Sequence, residues 1–195
     1  SGIEHYLGID VGGTKTDIEL FRRASKDEAA PDNSVARLSS LFSERISTQK
    51  HESYALFLQR LRDCIGRILK QNRIDFNDLN GIGFGLPGTV DPRTGTMLQG
   101  NAGIFVGKSI GSDLAKMVAD EVGPKFKVSA ANDATCFALA EYKLAQILNP
   151  YSQIRCLVAI TLGTGLGGGV IIEGRPLLGK KGGGAELGHM SIDPY

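Results

Sequence analysis

Two short glycine-rich turns, one near each end of the chain, constrain the fold more than any other feature. Each turn lies between two strand-like runs, and tight turns between strands need positive backbone φ values that glycine adopts at little cost. The sequence therefore predicts two β-hairpins. The first combines strands at 5–10 and 15–21 around the turn at 11–14, and the second combines strands at 154–162 and 168–173 around a turn that begins at 163.

Between the hairpins, strand-like and helical patterns alternate, which predicts a mixed sheet with helices on both faces. The clearest element is a helix at 53–71, where apolar residues such as Phe57 and Leu61 recur with the 3.6-residue period. The other expected elements are a surface loop at 23–36, a weaker strand at 44–48, a strand at 81–86, a loop rich in turn signals after 87, a helix at 109–122, a strand at 126–131 and a helix at 133–147. The new strand that begins at 154 suggests a second domain built like the first.

The composition excludes several classes of partner. Lys and Arg number 22 and Asp and Glu number 21, so a formal charge of +1 offers no electrostatic footprint for nucleic acid or for an anionic membrane surface. No apolar run approaches the ~18 residues of a membrane span and no signal peptide precedes the first strand, so we expect a cytoplasmic protein. Cys64, Cys136 and Cys156 are too widely spaced for a C-x-x-C metal site and fit thiols in a reducing compartment.

Three matches to familiar phosphate-binding motifs fail on their context. The run at 163–168 satisfies G-x-G-x-x-G, but a strand-like segment follows it where a dinucleotide-binding fold needs a helix. The run at 174–180 matches G-x-x-x-x-G-K, but Lys181 replaces the Ser or Thr that ligates Mg²⁺, and at 102–109 an alanine replaces the first glycine. Neither a Rossmann site nor a P-loop site is therefore expected.

The two strand–glycine turn–strand units remain as candidates, although each can also be a plain hairpin turn. Such bends expose several backbone N–H groups together, and these bind phosphate without Lys or Arg. The predicted nucleotide-binding residues are Asp10, Gly12, Gly13, Thr14, Lys15, Gly163, Thr164 and Gly165. Because a carboxylate beside a phosphate is costly without a cation, we expect Asp10 to hold Mg²⁺, directly or through water. For Lys15, an ordinary surface position on a strand is an equally good interpretation.

Five stretches of the chain, in this order, resemble the ROK sugar-kinase family within the actin-like, ribonuclease-H-like ATPase superfamily. They are GIDVGGTKTDIEL at 8–20, GIGFGLPGTVDPRTG at 81–95, ANDATCFALAE at 131–141, ITLGTGLGGGVIIEG at 160–174 and GAELGHMSID at 184–193. The resemblance implies an α/β, ribonuclease-H-like fold whose mixed sheet carries helices on both faces. It also implies an N-terminal domain at 1–132, followed at 133–195 by a hinge helix and the start of a second, incomplete domain.

The resemblance assigns roles to individual residues as well. Asp133, in the ANDA motif, would be the catalytic base that accepts a proton from the sugar hydroxyl, although an aspartate there can also simply cap a helix. Glu186 would accept hydrogen bonds from two sugar hydroxyls. The full set of sugar-binding residues that the resemblance implies is Gly88, Asn101, Asn132, Asp133, Glu186 and His189.

The chain departs from the family pattern after His189, where the family's cysteine-rich element does not follow. A structural zinc ion needs four ligands, so we expect His189 to bind zinc only if a further C-terminal segment is present, and no zinc in this chain. The adenine pocket would also lie beyond Tyr195. An incomplete sheet leaves an exposed edge, so we expect reduced or absent activity and self-association, as a homodimer or another assembly.

The function that the resemblance implies is transfer of a phosphoryl group from Mg-ATP to a hexose or N-acetylhexosamine, at the 6-hydroxyl. N-acetylglucosamine or glucose is favoured, with fructose and N-acetylmannosamine as alternatives. A sugar-responsive repressor is a further alternative, but it needs a helix-turn-helix module and a basic patch, neither of which is seen here. A sugar-sensing chain without catalysis is the last alternative.

Overall fold

The computed structural model describes residues 2–24, 38–48, 52–149, 153–163 and 165–191. Its strands and helices, in chain order, are β1 (Glu4–Val11), β2 (Lys15–Arg23), β3 (Leu38–Ser47), α1 (Tyr54–Gln71), β4 (Leu79–Leu86), β5 (Gly88–Val90), β6 (Met97–Gly100), α2 (Ile110–Met117), β7 (Lys127–Asn132), α3 (Asp133–Leu148), β8 (Cys156–Leu162), β9 (Leu166–Ile172) and β10 (Arg175–Pro176). Within these ranges, no helix combines the length and the apolar character that crossing a membrane requires.

Five strands form the larger sheet, in the order β3-β2-β1-β4-β7. Strands β1, β4 and β7 are parallel to one another, whereas β1, β2 and β3 form an antiparallel meander. The register places Asp10 of β1 beside Gly85 of β4, and Gly85 beside Ala131 of β7. The carboxyl ends of the three parallel strands therefore meet at one edge of the sheet.

The two faces of this sheet differ in character. On one face, Ile9 and Phe84 are neighbours in the register and belong to a core that α1 and α2 also build. On the other face, β4 presents Gly83 and Gly85 instead of large side chains. A Cβ atom placed on Gly85 would lie 3.8 Å from Cys136 Sγ, so the first turn of α3 covers this face. The expected mixed sheet with helices on both faces is confirmed.

Helix α1 provides much of the larger core. Ser53 caps its first turn, because the Ser53 Oγ atom accepts a hydrogen bond from the Leu56 N–H at 3.3 Å. The ring of Phe57 packs edge-on against Phe105, with 4.9 Å between the ring centroids. The buried side chains repeat along one face of the helix and are Phe57, Leu58, Leu61, Cys64, Ile65, Ile68 and Leu69. The helix predicted at 53–71 is confirmed to within one residue.

Helix α3 follows β7 without an intervening loop and packs on a smaller antiparallel sheet of order β10-β9-β8. Helix and sheet approach each other closely, because a Cβ atom placed on Gly169 would lie only 2.5 Å from the Ala138 Cβ. A separate small core forms between them. Its buried members are Ala138, Tyr142, Ala159 and Ile171.

Two expected elements are present with different bounds, and one expectation about local structure is wrong. The strand expected at 44–48 extends over Leu38–Ser47, because it pairs with the whole length of β2. Where a loop was expected after Pro87, β5 and β6 form a short hairpin. Helix α2 ends at Met117 rather than at 122, and residues 118–122 continue as turns that bond back to the Val118 carbonyl. Most of the loop expected at 23–36 lies outside the described residues.

Candidate active site

The carboxyl ends of β1, β4 and β7 lie side by side, and each is followed by a candidate functional segment. The first glycine bend follows β1, Gly88 follows β4 after a single proline, and Asp133 follows β7 directly. Ligands of open α/β sheets bind outside the carboxyl ends of parallel strands, because loops from neighbouring strands converge there. The topology therefore brings residues from three distant parts of the sequence to one edge of the sheet.

Two carboxylates, Asp10 and Asp133, flank Gly85 at this edge. A Cβ atom placed on Gly85 would lie 3.4 Å from Asp10 Oδ1 and 3.7 Å from the Asp133 Cα. Both distances are ordinary van der Waals contacts, so the two aspartates are close neighbours of Gly85. Partial burial raises the pKa of the Asp10 carboxyl, and the negative charges of Asp133 and then Asp17 raise it further. A divalent cation suits this site, because carboxylate oxygens are preferred Mg²⁺ ligands and a cation would relieve the repulsion between the two carboxylates.

Asp133 is the first residue of α3, and its environment also favours the protonated form. Partial burial is the largest effect and raises the pKa of the Asp133 carboxyl, and the negative charge of Glu186 adds to it. The Ala134 N–H donates to Asp133 Oδ1 at 2.8 Å and acts in the opposite direction. Burial, with the nearby charges of Asp133 and Asp10, raises the pKa of the Cys136 thiol to about 11, so this thiol stays protonated.

Asn132, not Asp133, is the N-cap residue of α3, so the alternative interpretation of Asp133 as the cap is wrong. The Asn132 Oδ1 atom accepts hydrogen bonds from the N–H groups of Ala134 at 2.9 Å and Thr135 at 3.3 Å. The Asn132 Nδ2 atom donates to the Gly88 carbonyl at 3.0 Å. Asn132 thus ties the end of β7 to the segment after β4, and its second N–H can still donate to a ligand.

Glu186 joins this group from the glycine-rich C-terminal part of the chain. The Thr89 hydroxyl donates to Glu186 Oε1 at 3.3 Å, which links the 184–189 segment to β5. The same carboxylate contributes to the raised pKa of Asp133, so the two acidic groups are close enough to interact. His189 is exposed in a short 3-10 turn, Leu187–His189. Among the described residues, no group of three or more His, Cys, Asp or Glu side chains can hold a metal ion.

The first glycine bend shares a pocket with Asn101. The bend closes through a hydrogen bond from the Gly12 N–H to the Lys15 carbonyl at 2.9 Å. Gly13 and Asn101 both line an adjacent pocket of about 330 Å³, whose other lining residues are Thr48, Ala102, Gly103, Ile104 and Phe105. The side chain of Lys15 is exposed. The structure thus brings two of the predicted binding segments together, one expected for phosphate and the other for sugar.

The second glycine turn connects β8 and β9 and is exposed. The Gly163 N–H donates to the Gly165 carbonyl at 2.9 Å, which closes the turn, and Thr164 lies outside the described residues. Within the described part of the chain, no hydrogen bond joins this turn to the first bend or to Asp133. The predicted role of Gly163, Thr164 and Gly165 in phosphate binding therefore stays a prediction.

Sequence reasoning missed three residues that shape this edge of the sheet: Thr48, Gly85 and Thr89. Thr48 contacts the first glycine bend, Gly85 is a close neighbour of the two aspartates, and Thr89 contacts Glu186. Only the strand register reveals Gly85, because it pairs with Asp10 across 75 residues of sequence. Thr48 lies outside the five family-like stretches, and Thr89 lies within the stretch at 81–95 without a role that its type or spacing reveals.

A family model described as the ROK family matches residues 6–195. The chain therefore belongs to the ROK family, as the five sequence stretches had indicated.

Named relatives and solved structures are consistent with this membership. An N-acetyl-D-glucosamine kinase from Vibrio atlanticus is 34% identical over 187 residues, which cover 96% of this chain and 53% of that protein. A ROK hexokinase from Thermus thermophilus superposes with a TM-score of 0.71 at 27% identity, over 97% of this chain and 54% of the other. A ROK transcriptional regulator, a homologue of the E. coli MLC protein, also reaches a TM-score of 0.71, at 25% identity, over 97% of this chain and 42% of that one. The chain spans about half the length of the curated relatives it matches.

Proposed function

We propose that this chain carries the acceptor-activating and first phosphate-binding parts of an ATP-dependent carbohydrate kinase. The observation that carries the proposal is the convergence of Asp10, Asp133 and the first glycine bend at the carboxyl edge of three parallel strands. A nucleotide phosphate and an acceptor hydroxyl must meet at one point during phosphoryl transfer, and this edge offers groups suited to each. The relative named N-acetyl-D-glucosamine kinase supports the same conclusion.

In this proposal Asp133 acts as the general base. It accepts the proton of the sugar hydroxyl while that oxygen forms a bond to the γ-phosphorus, and the bond from the γ-phosphorus to the bridging oxygen breaks so that ADP leaves. The raised pKa of Asp133 suits this role, because a stronger base accepts a proton more readily near neutral pH. Asp10 would hold Mg²⁺, whose chemistry is to neutralise charge that develops on the phosphates.

Sugar hydroxyls would be held by groups from three segments around Asp133. Glu186 would accept two hydrogen bonds, and its contact with Thr89 supports an orientation towards this edge. Asn132 would donate through its second N–H, and Asn101 would contact the sugar from the loop after β6. Gly88 remains a proposed sugar contact, and the β5–β6 hairpin also requires glycine there, because a Cβ atom would collide with the Gln99 carbonyl. His189 remains a proposed sugar ligand.

The substitution Asp133→Asn tests the catalytic assignment. Removing the base should lower the turnover number about 10²–10⁴-fold. Sugar binding should persist, because the amide keeps the size of the carboxylate. Turnover would be followed by ADP release with purified chain, and sugar binding by thermal shift in the same samples. The control Asp63→Asn changes an exposed aspartate on α1 and should leave both unchanged.

Unchanged turnover in Asp133→Asn would contradict the proposed base. A wild-type chain that neither transfers phosphate nor gains stability from any sugar or nucleotide would contradict the proposed function as a whole.

For the acceptor we propose N-acetylglucosamine or glucose, at the 6-hydroxyl. The Vibrio atlanticus relative supports N-acetylglucosamine. Fructose and N-acetylmannosamine are the alternative acceptors. A panel of these four sugars with Mg²⁺ and ADP would rank them by the rise in melting temperature, because a ligand that binds only the folded state stabilises it. A larger rise with fructose or N-acetylmannosamine than with either favoured sugar would overturn this assignment.

A second candidate function is sugar sensing without catalysis. The ROK transcriptional regulator superposes on this chain as well as the hexokinase does, which is the observation that favours it. Asp133→Asn separates the two functions where the wild-type chain has measurable turnover: a kinase loses that turnover in the variant, whereas a sensor binds sugar in both forms and shows no turnover in either.

We also propose that the chain divides into two domains between Asn132 and Asp133. The buried cores support this division, because α3 contributes Ala138 and Tyr142 to the smaller core and none of the buried members of the larger one.

A further inference from the structure

Thr48 is attached to the first glycine bend by two hydrogen bonds. It follows the last residue of β3 and is only 1% exposed. The Thr48 hydroxyl donates to the Gly12 carbonyl at 2.8 Å, and the Thr48 N–H donates to the Thr14 carbonyl at 2.9 Å. Both carbonyls belong to the bend that is proposed to bind phosphate. One residue therefore holds the bend at two of its peptide groups.

Thr16 completes the arrangement on the other side of Thr48. The two hydroxyl oxygens lie 2.9 Å apart, and Thr16 is fully buried. A hydroxyl has one proton, and that of Thr48 points to the Gly12 carbonyl, so Thr16 must donate to Thr48. The hydrogen bonds thus run in one direction, from Thr16 through Thr48 to Gly12, and this fixes the orientation of the Thr48 hydroxyl.

The planarity of the peptide group turns this contact into a constraint on N–H groups. In a trans peptide, the carbonyl of one residue and the N–H of the next point in opposite directions. Holding the Gly12 carbonyl towards Thr48 therefore directs the Gly13 N–H away from Thr48. Holding the Thr14 carbonyl towards Thr48 likewise directs the Lys15 N–H away from Thr48. Two donors of the bend are thereby given fixed directions.

The segment that carries Thr48 is itself held by α1. Arg60 donates to the Ser47 carbonyl at 2.7 Å and also pairs with Glu52. Ser47, which precedes Thr48, and Glu52, four residues after it, are thus tied to the same side chain of a helix in the larger core. A glycine bend is flexible by itself, so a rigid neighbour is needed to hold its N–H groups in one arrangement.

We propose that Thr48 is a positioning residue for the phosphate-binding bend, acting through the peptide groups of Gly12 and Thr14. The inference rests on the proposed function, because it concerns how that bend binds the phosphates of a nucleotide. Thr48 acts through these two peptide groups and not by a direct hydrogen bond to nucleotide or sugar. Its hydroxyl prepares the Gly13 and Lys15 N–H groups before the nucleotide arrives.

The first test compares Thr48→Val with Thr48→Ser in nucleotide titrations. Valine keeps the shape of threonine without the hydroxyl, whereas serine keeps the hydroxyl. Mg-ADP added to ¹⁵N-labelled chain should shift the Gly13 and Lys15 amide signals. The dissociation constant should rise about tenfold in Thr48→Val, the scale of one lost hydrogen bond, and stay within about twofold of wild type in Thr48→Ser. Thr94→Val removes a hydroxyl from an exposed turn and is the matched control.

Sugar binding, measured by thermal shift, distinguishes positioning from general damage. It should fall much less than Mg-ADP binding in Thr48→Val, because only Asn101 among the proposed sugar ligands shares a pocket with Thr48, whereas Asn132, Asp133 and Glu186 lie on other segments. Equal losses of sugar and nucleotide binding, or an unchanged Mg-ADP dissociation constant, would overturn the proposal. If Thr48→Val does not fold, Thr16→Val replaces it, since it removes the donor that orients the Thr48 hydroxyl. Its dissociation constant should rise about threefold, and no rise would also overturn the proposal.

Amide hydrogen exchange tests the same idea without any nucleotide. Exchange at Gly12 and Thr48, whose N–H groups donate to the Lys15 and Thr14 carbonyls at 2.9 Å each, should be faster in Thr48→Val than in wild type, while exchange in α1 stays the same. Unchanged exchange at both amides would overturn the positioning role. If wild-type chain shows no Gly13 or Lys15 shift with Mg-ADP, the proposed phosphate site is wrong, whereas the exchange comparison still decides whether Thr48 holds the bend.

Discussion

The larger sheet and the smaller sheet of this chain differ in how completely they bury their apolar residues. Among the described residues, the core beside the larger sheet joins 23 buried residues, whereas the core between α3 and the smaller sheet joins four. Burial of apolar surface is the main source of folding stability. The larger sheet with α1 and α2 should therefore be the more stable part, and we call it the first region. We call α3 with the smaller sheet the second region.

One face of the second region carries an exposed apolar strip. Along β8, the side chains of Val158, Ile160 and Leu162 are 54%, 55% and 82% exposed. They alternate with residues that face α3, as expected for a strand with only one covered face. Strand β8 also lies at the edge of its sheet, next to β9 alone among the described strands. By contrast, the apolar side chains Leu7, Ile9 and Val11 of β1 in the first region are buried.

This difference bears on the proposed site, because the site takes residues from both regions. Asp10 lies on β1 in the middle of the first region, whereas Asp133 is the first residue of α3. Local opening of the second region would move Asp133 relative to Asp10 without unfolding the first. The geometry of the proposed site therefore depends on the less well-packed part of the chain.

The largest expected effect comes from removing a core ring of the first region. Phe57 is fully buried and packs against Phe105, so Phe57→Ala should cost about 3–5 kcal/mol of unfolding free energy. Because this change lowers the stability of the first region, amide hydrogen exchange should accelerate in β1, and less in β9, which exchanges through local opening of the second region.

The matched substitution in the second region is Ile171→Ala. Ile171 is also fully buried, and the change should cost about 2 kcal/mol, at the low end for such truncations because its core is small. Exchange should accelerate in β9 and remain unchanged in β1. Acceleration of equal size in both strands would show that the two regions unfold as one unit and would break the comparison.

A smaller effect is expected on self-association, which we predict for the exposed strip of β8. Ile160→Lys places a charge in the middle of the strip and should lower the concentration-dependent apparent mass in light scattering towards that of a monomer. Leu56→Lys is the control, because Leu56 is 61% exposed on α1 in the first region. A wild-type chain that stays monomeric, or equal effects of the two substitutions, would contradict the prediction.

The same comparison explains which parts of the fold could be predicted from the sequence. Helix α1 was predictable because its buried residues repeat with the helical period and Ser53 precedes them. The β5–β6 hairpin was missed because β5 has three residues, too few for a periodic pattern. The extra length of β3 comes from its pairing with β2, and a pairing partner is a property of the fold rather than of a local run.

The candidate site was predictable only where a motif marks it. The glycine bend and Asp133 stand in recognisable stretches, and the structure brings both to the same sheet edge. The roles of Thr48 and Gly85 depend on contacts across long stretches of sequence. Local patterns contain no information about such contacts, so these two residues required the three-dimensional structure.

The smallest expected effect concerns an ion pair at the outer strands of the first region. Arg45 of β3 donates to both carboxylate oxygens of Asp17 on β2, at 2.5 and 3.1 Å. These hydrogen bonds are the main cause of a lowered pKa of the Asp17 carboxyl. Both side chains are largely exposed, so solvent screens the interaction and Asp17→Asn should lower the melting temperature at pH 7 by less than about 2 °C.

The pH dependence of this effect has a definite sign. Because folding lowers the pKa of Asp17, the carboxylate stabilises the fold above its ordinary pKa of about 4, and this contribution disappears as the pH falls through the lowered value. The difference in melting temperature between wild type and Asp17→Asn should therefore shrink as the pH falls from 5 to 2. Adding Arg45→Gln to Asp17→Asn should cause little further loss, because the pair is already broken. A difference in melting temperature that persists at pH 2 would mean that Asp17 acts through packing rather than charge. If Asp17→Asn accelerated amide hydrogen exchange in β9 as much as in β2, the second region would depend on the outer strands of the first.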